Sequence, residues 1–275
     1  MRWSTNVAGS DGQGHRGARA KDTAVRLFCR LAAGAYLRVR VDGRERLPVA
    51  ETGGYIICFN HPSWTDPIIL LGAWPDRGRR FLIFGPRERD MTIGRRNALI
   101  TWTERGVPFQ PGGSDIAQVT RNAARLLRSG AILAIAGEGR LSDVEGQARP
   151  LEVGVAHFAL MAGVPIVPVA VSGTRRIRFG KTVRILIGMP IHGATEVDQS
   201  RRAAAQSLIR RTQDELQRLL DELAPHDDRE TGRFGAWLSE VFNERPWLDV
   251  AAGPPISARR TRRPADAVRR TVHRR

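Results

Sequence analysis

The sequence predicts an α/β fold with one sheet-centred core, and three observations carry that prediction. Short apolar runs bounded by turn residues recur along the chain, as buried strands do. Stretches with apolar residues at helical spacing lie between them, the alternation expected of a sheet covered by helices. The chain is 275 residues long, and α/β chains of about 200 to 250 packed residues commonly hold a single core.

Taken in order, residues 1–19 are rich in Gly, Ser, Arg and Asp without apolar periodicity, so they are expected to be disordered. From Asp22 to about Arg38, Val25, Phe28, Leu31, Ala32, Ala35 and Tyr36 recur at helical spacing, with Arg26, Arg30 and Arg38 beside them. This pattern fits an interfacial helix whose arginines reach lipid phosphates, and equally a helix that covers the core. Strands are expected at Tyr55–Phe59, Phe81–Phe84, Ala131–Ala136, Pro165–Val171 and Thr182–Ile187. Helices are expected at Asp115–Arg128, with Ser114 as its N-cap and Gly130 just beyond its end, at Val153–Met161, and at Arg201–Leu223.

The packed domain is thus expected to span residues 20–225. Residues 226–257 form an amphipathic segment carrying Phe234, Trp237, Leu238, Val241, Phe242, Trp247 and Leu248, suited to the domain surface or to a bilayer interface. Residues 258–275, with paired arginines and one acidic residue, Asp266, are expected to be a basic disordered tail.

The formal net charge is +16, which favours polyanionic partners. Nucleic acid is not expected, because no finger, helix-turn-helix or stacking motif accompanies the charge; an anionic membrane surface is the expected partner. Cys29 and Cys58 are the only cysteines and make neither a disulfide framework nor a zinc site, so a reducing, intracellular setting is the default. No stretch approaches the roughly 18 apolar residues of a membrane span, and the first residues lack the apolar region of a signal peptide.

Two strand ends carry the chemistry. Asn60-His61-Pro62-Ser63-Trp64-Thr65-Asp66 follows the apolar run Tyr55–Phe59. His61 and Asp66 can meet in a turn, the carboxylate fixing the tautomer of an imidazole that takes a proton on its other nitrogen. Ala136-Gly137-Glu138-Gly139-Arg140-Leu141-Ser142 follows another apolar run and joins a carboxylate and a guanidinium with flexible glycines. His61 and Asp66 lack a third convergent ligand, so no metal is expected.

In this order, the block Asn-His-x-x-x-x-Asp, then Glu-Gly-Arg-x-Ser, then Val164-Pro165-Ile166-Val167-Pro168-Val169, the chain resembles the glycerolipid acyltransferase family of lysophosphatidic acid acyltransferase type. The resemblance implies a single domain with a central mixed sheet flanked by helices. It implies His61 and Asp66 as catalytic residues, Glu138, Gly139 and Arg140 as acceptor-binding residues, and Val164 to Val169 as shaping the acyl-donor region. The family's second block commonly ends in an arginine that contacts the acceptor phosphate, whereas Gly106-Val107-Pro108-Phe109-Gln110-Pro111-Gly112 ends in glycine. Arg105 or Arg140 is then the candidate for the missing charge, or the acceptor carries no phosphate monoester there.

The expected reaction moves a fatty acyl group from acyl-CoA or acyl carrier protein to a hydroxyl of a lysophospholipid or related polar lipid. It takes place at the cytoplasmic face of the membrane, on a peripheral protein without cofactor. Backbone amides of the glycine-rich turns are candidates to hold the oxyanion. Two rivals stand beside this reading: a basic nucleic-acid-binding protein, and a non-catalytic lipid-binding member of the same fold.

Overall fold

The computed structural model describes residues 12–49, 53–86, 105–109, 116–142, 146–175, 177–193 and 200–223. Seven strands form one sheet: β1 (Arg38–Asp42), β2 (Tyr55–Phe59), β3 (Phe81–Pro86), β4 (Gly106–Phe109), β5 (Ile132–Ala136), β6 (Ile166–Ser172) and β7 (Thr182–Ile187). Their spatial order is β1-β7-β6-β2-β5-β3-β4. From β6 to β4 every pairing is parallel; β7 runs antiparallel to β6, and β1 is parallel to β7. The sheet is therefore mixed, and the carboxyl ends of its five parallel strands share one rim. In open parallel sheets that rim is where binding loops emerge.

Five helices are described: α1 (Gly12–Tyr36), α2 (Asp66–Ala73), α3 (Ile116–Arg128), α4 (Gly154–Ala162) and α5 (Arg201–Glu222). The two-residue alternation of strand side chains sorts the core into two layers. Tyr55, Ile57 and Phe59 of β2 pack with Val25, Cys29, Ile69, Leu70 and Trp74 of the α1–α2 side, whereas Ile56 and Cys58 pack with Ala123, Leu127, Ala156 and Leu208 of the α3–α5 side. Because both faces are covered, every residue of β2 and β6 is buried, which is why these strands read as unbroken apolar runs. Each such Ile or Val contributes about 1.5–3 kcal/mol relative to exposure.

Three elements were not expected. β1 alternates exposed and half-buried residues, so it has no apolar run to announce it; β4 is four residues at the far edge; α2 is only eight residues, too short for periodicity to register. α1 begins at Gly12 rather than Asp22, so the helix takes in residues 12–19 of the segment expected to be disordered. Ala18, Arg19, Ala20 and Lys21 are good helix formers, and propagating an existing helix through them costs little. Ser114 and residues 226–275 lie outside the described residues.

The first helix presents two apolar faces, one covering the core and one exposed. Val25 and Cys29 point inward, while Leu27, Phe28 and Leu31 are 52%, 52% and 62% exposed. Arg26 does not reach outward: it is 2% exposed and donates to the carbonyl oxygens of Asp76 at 2.6 Å and Arg79 at 2.7 Å.

Candidate active site

The site begins where β2 ends. Asn60, fully buried, uses its side chain as a surrogate backbone: Nδ2 donates to the Val171 carbonyl at 2.9 Å, and Oδ1 accepts from Val171 N–H at 2.7 Å. This fastens the end of β2 to β6 and lets the chain leave the sheet at His61.

His61 Nδ1 lies 2.9 Å from Asp66 Oδ2. An ionised carboxylate only accepts, so Nδ1 is the donor and Nε2 is the proton-accepting nitrogen of the neutral ring. The Phe59 ring packs edge-on against the imidazole at 5.7 Å. Asp66 is fully buried at the first turn of α2, where helix-end N–H groups favour a negative charge. Its Oδ2 also accepts from Ser63 N–H at 2.8 Å. The Ser63 hydroxyl is paired with Thr65 Oγ1 at 3.0 Å, so Ser63 shapes the turn.

β5 brings the second loop alongside. Phe59 and Ala136 are in register, so the two loops leave the sheet side by side, and Gly137 N–H donates to Phe59 O at 3.0 Å. A Cβ on Gly137 would stand 2.5 Å from Cys58 Sγ and 2.7 Å from Leu151 Cδ2, so only glycine fits. Glu138, 3% exposed, accepts from Ser142 Oγ at 2.5 Å on one oxygen and from Arg149 N–H at 3.3 Å on the other. Ser142 N–H in turn donates to His61 O at 2.7 Å. The two loops are thereby clipped together, with Gly139 exposed and Arg140 half-buried in the turn.

The structure thus assembles His61, Asp66, Glu138, Gly139 and Arg140 on one rim. It does not bring Arg105 there. Arg105 precedes β4, so it lies at the amino rim, a strand length of about 15 Å away, paired with Asp22 of α1 at 2.5 Å. The Gly137 and Gly139 amides are also committed, to Phe59 O and to Ala136 O, which removes them as oxyanion donors. Val164 to Val169 are wholly buried beside β2 and serve as core. Sequence reasoning missed the clamp role of Asn60, the clip role of Ser142, and Arg175, which follows the end of β6. Arg175 carried the signal that found His61: a polar residue just past an apolar run.

Residues 38–172 match the family model described as Acyltransferase; the match runs from β1 through β6 and contains both loops. No curated protein matches the chain by sequence. Among solved structures, the chain is similar to the 1-acyl-sn-glycerophosphate (LPA) acyltransferase PlsC from Thermotoga maritima, at 20% identity over 80% of this chain and 85% of that one, with a TM-score of 0.55. The stretch from β1 through β6 therefore matches the acyltransferase family, and the chain shares its fold with that solved acyltransferase.

Proposed function

We propose that this protein transfers a fatty acyl group from an acyl thioester, acyl-CoA or acyl carrier protein, to a free hydroxyl of a lysophospholipid or related polar lipid. The observation that carries this is the His61–Asp66 hydrogen bond of 2.9 Å at the rim where binding loops emerge. His61 Nε2 takes the acceptor hydroxyl proton as that oxygen attacks the thioester carbonyl. Collapse of the tetrahedral intermediate breaks the C–S bond, and the imidazolium returns the proton to the leaving thiolate. Asp66 holds the ring and offsets the charge it gains. Neither cysteine acts as nucleophile: burial pushes the Cys29 thiol up to about 11 and the Cys58 thiol up to about 12, and a thiol kept protonated is a poor nucleophile. Among the described residues no three His, Cys, Asp or Glu side chains gather as a metal site.

The acceptor class is supported by the solved relative, whose substrate is a 1-acyl-sn-glycerophosphate. Glu138, Gly139 and Arg140 form the acceptor side in this proposal, Glu138 by fixing the turn and Arg140 by its charge. Thiol release from a panel of acyl-CoA donors, with and without lysolipids, tests the proposal. Acceptor-dependent release that disappears in His61→Ala is the expected result, and undiminished turnover in that variant would remove His61 as the base.

Among the described residues no helix is long and apolar enough to cross a membrane. Peripheral attachment at the cytoplasmic face is proposed from the exposed Leu27, Phe28 and Leu31 of α1, with Arg30 and Arg38 also exposed. Phe179, 75% exposed and edge-on to Tyr36 at 5.9 Å, extends the same apolar surface. Leu31→Glu is expected to weaken co-sedimentation with anionic liposomes at low salt; unchanged co-sedimentation would assign the membrane contact elsewhere.

A further inference from the structure

β6 is the second neighbour of β2, and its end reaches the same rim from the side opposite Glu138. Just past Ser172, Gly173 has φ +91°, and a Cβ there would stand 2.4 Å from the Thr182 carbonyl oxygen. Conformation and close approach both require glycine, and this turn sets the direction of the residues that follow. Arg175 is half-buried, and its Nη1 donates to the Ser142 carbonyl at 3.5 Å. Ser142 is the residue whose N–H holds His61 O at 2.7 Å, so this guanidinium reaches the clip that joins the two site loops.

Among the described residues no carboxylate pairs with Arg175. Its long contact to Ser142 leaves most of its five N–H donors unspent. The arginines of the amino rim are in the opposite condition: Arg79 is bound to Asp76 at 2.6 Å and Arg105 to Asp22 at 2.5 Å. A half-buried guanidinium that no described carboxylate answers, on a loop next to the proposed hydroxyl-activating base, matches the requirements of a phosphate monoester, which takes paired N–H donors. A glycerol backbone sets its free hydroxyl and its phosphate a few bonds apart, so base and cation must stand on adjoining loops.

We propose that Arg175 binds the phosphate monoester of the acceptor and supplies, from the end of β6, the charge that Gly112 cannot. This rests on the acyl-transfer reading above and narrows the acceptor to lysophosphatidic acid-like lipids.

The test compares wild type with Arg175→Ala, Arg175→Lys and Arg175→Gln in two readouts. The first is calorimetric binding of glycerol 3-phosphate. The second is the set of KM values for lysophosphatidic acid, for monoacylglycerol, and for acyl-CoA, which carries phosphates of its own. Loss of a charged hydrogen-bonding group is expected to raise the glycerol 3-phosphate Kd and the lysophosphatidic acid KM roughly 10- to 100-fold. The monoacylglycerol KM, the acyl-CoA KM and kcat should hardly move, and lysine should restore part of the loss. Arg175→Gln keeps a donor for Ser142 and reports the charge alone if the alanine variant is unstable. A rise in the acyl-CoA KM alone, an equal rise with both acceptors, or no glycerol 3-phosphate binding by wild type would each overturn the assignment. Arg175-dependent binding without turnover of any acceptor would keep the phosphate site and sink acyl transfer; turnover of lysophosphatidic acid that ignores Arg175 would do the reverse.

Discussion

At the carboxyl rim of the sheet, His61, Asp66, Glu138, Arg140 and Arg175 stand on loops held together by backbone-directed hydrogen bonds. At the amino rim, Asp22, Arg26, Asp76, Arg79 and Arg105 form a set of charges of similar size, arranged in the opposite way. Arg26 is tied to two carbonyls, Arg79 to Asp76 and to the Pro48 carbonyl, and Arg105 to Asp22. Tyr55 OH donates to Asp76 Oδ2 at 3.2 Å and accepts from Trp74 Nε1 at 2.9 Å, so the network continues into the core. Burial lowers the pKa of Arg26, with Asp22 opposing the shift. The amino rim answers its charges internally and fastens α1 to the sheet, whereas the carboxyl rim buries Asp66 and Glu138 in its turns and leaves His61, Arg140 and Arg175 half-buried on its loops. Charge density does not separate the two rims, but strand direction does.

The largest expected effects break the carboxyl rim. His61→Ala should lower kcat by roughly 10³- to 10⁴-fold, with little change in melting temperature. Asp66→Ala should approach that loss, but Asp66→Asn should cost only about 10²-fold. Ser63 N–H and His61 Nδ1–H both point at the Oδ2 position, so an amide oxygen placed there keeps ring and tautomer and gives up only the charge. If asparagine is as damaging as alanine, the backbone of Ser63 does not set the orientation.

At the amino rim the same kind of cut should spare chemistry and cost stability. Arg26→Met leaves the Asp76 and Arg79 carbonyls without their donor and Asp22 with one fewer cation, which is expected to destabilise the fold by about 3–5 kcal/mol. Urea unfolding reads this directly, and kcat per folded molecule should stay near wild type. Arg105→Gln should likewise leave the acceptor KM unchanged, separating it from Arg140. A selective rise in acceptor KM on losing Arg105 would restore it to the acceptor side.

The same contrast explains what the sequence could and could not disclose. β2, β5 and β6 were legible because they are covered on both faces, and the two site loops were legible because they follow those strands. β1 and β4 were not, since an edge strand needs no apolar run. Arg105 was misplaced because a guanidinium beside a strand reads alike at either end. Its position before β4, against that of Glu138 after β5, is what separates them once the strands are known to be parallel. Arg26 was misread because the helix from Asp22 has two apolar stripes, and nothing local says that a guanidinium will be used to pin a loop beneath one of them.

A smaller effect is expected where the two regions meet. α1 crosses α2 at Gly72, where a Cβ would stand 2.7 Å from the Arg30 backbone nitrogen and 2.8 Å from the Cys29 carbonyl carbon. Gly72→Ala must push the helices apart, at a cost of about 1–3 kcal/mol. Because α2 begins at Asp66, a loss of kcat alongside that destabilisation would show the amino-rim anchorage acting on the His61–Asp66 pair; a loss of stability alone would show the rims to be independent.

The smallest signal concerns Cys58, which sits between the rims on β2. Its thiol is pushed up to about 12, mainly by burial and further by the nearby Glu138 charge, so at pH 8 only about one molecule in 10⁴ carries the thiolate. Alkylation of the native protein at pH 8 should therefore be negligible at Cys58 and immediate after unfolding, where the thiol returns to its ordinary range. Raising the pH to 10 should accelerate the native reaction by at most about 100-fold if it proceeds through the folded thiolate. A native rate that tracks urea concentration instead would mean that β2 opens before it reacts, and that the strand carrying His61 is less firmly held than its burial on both faces indicates.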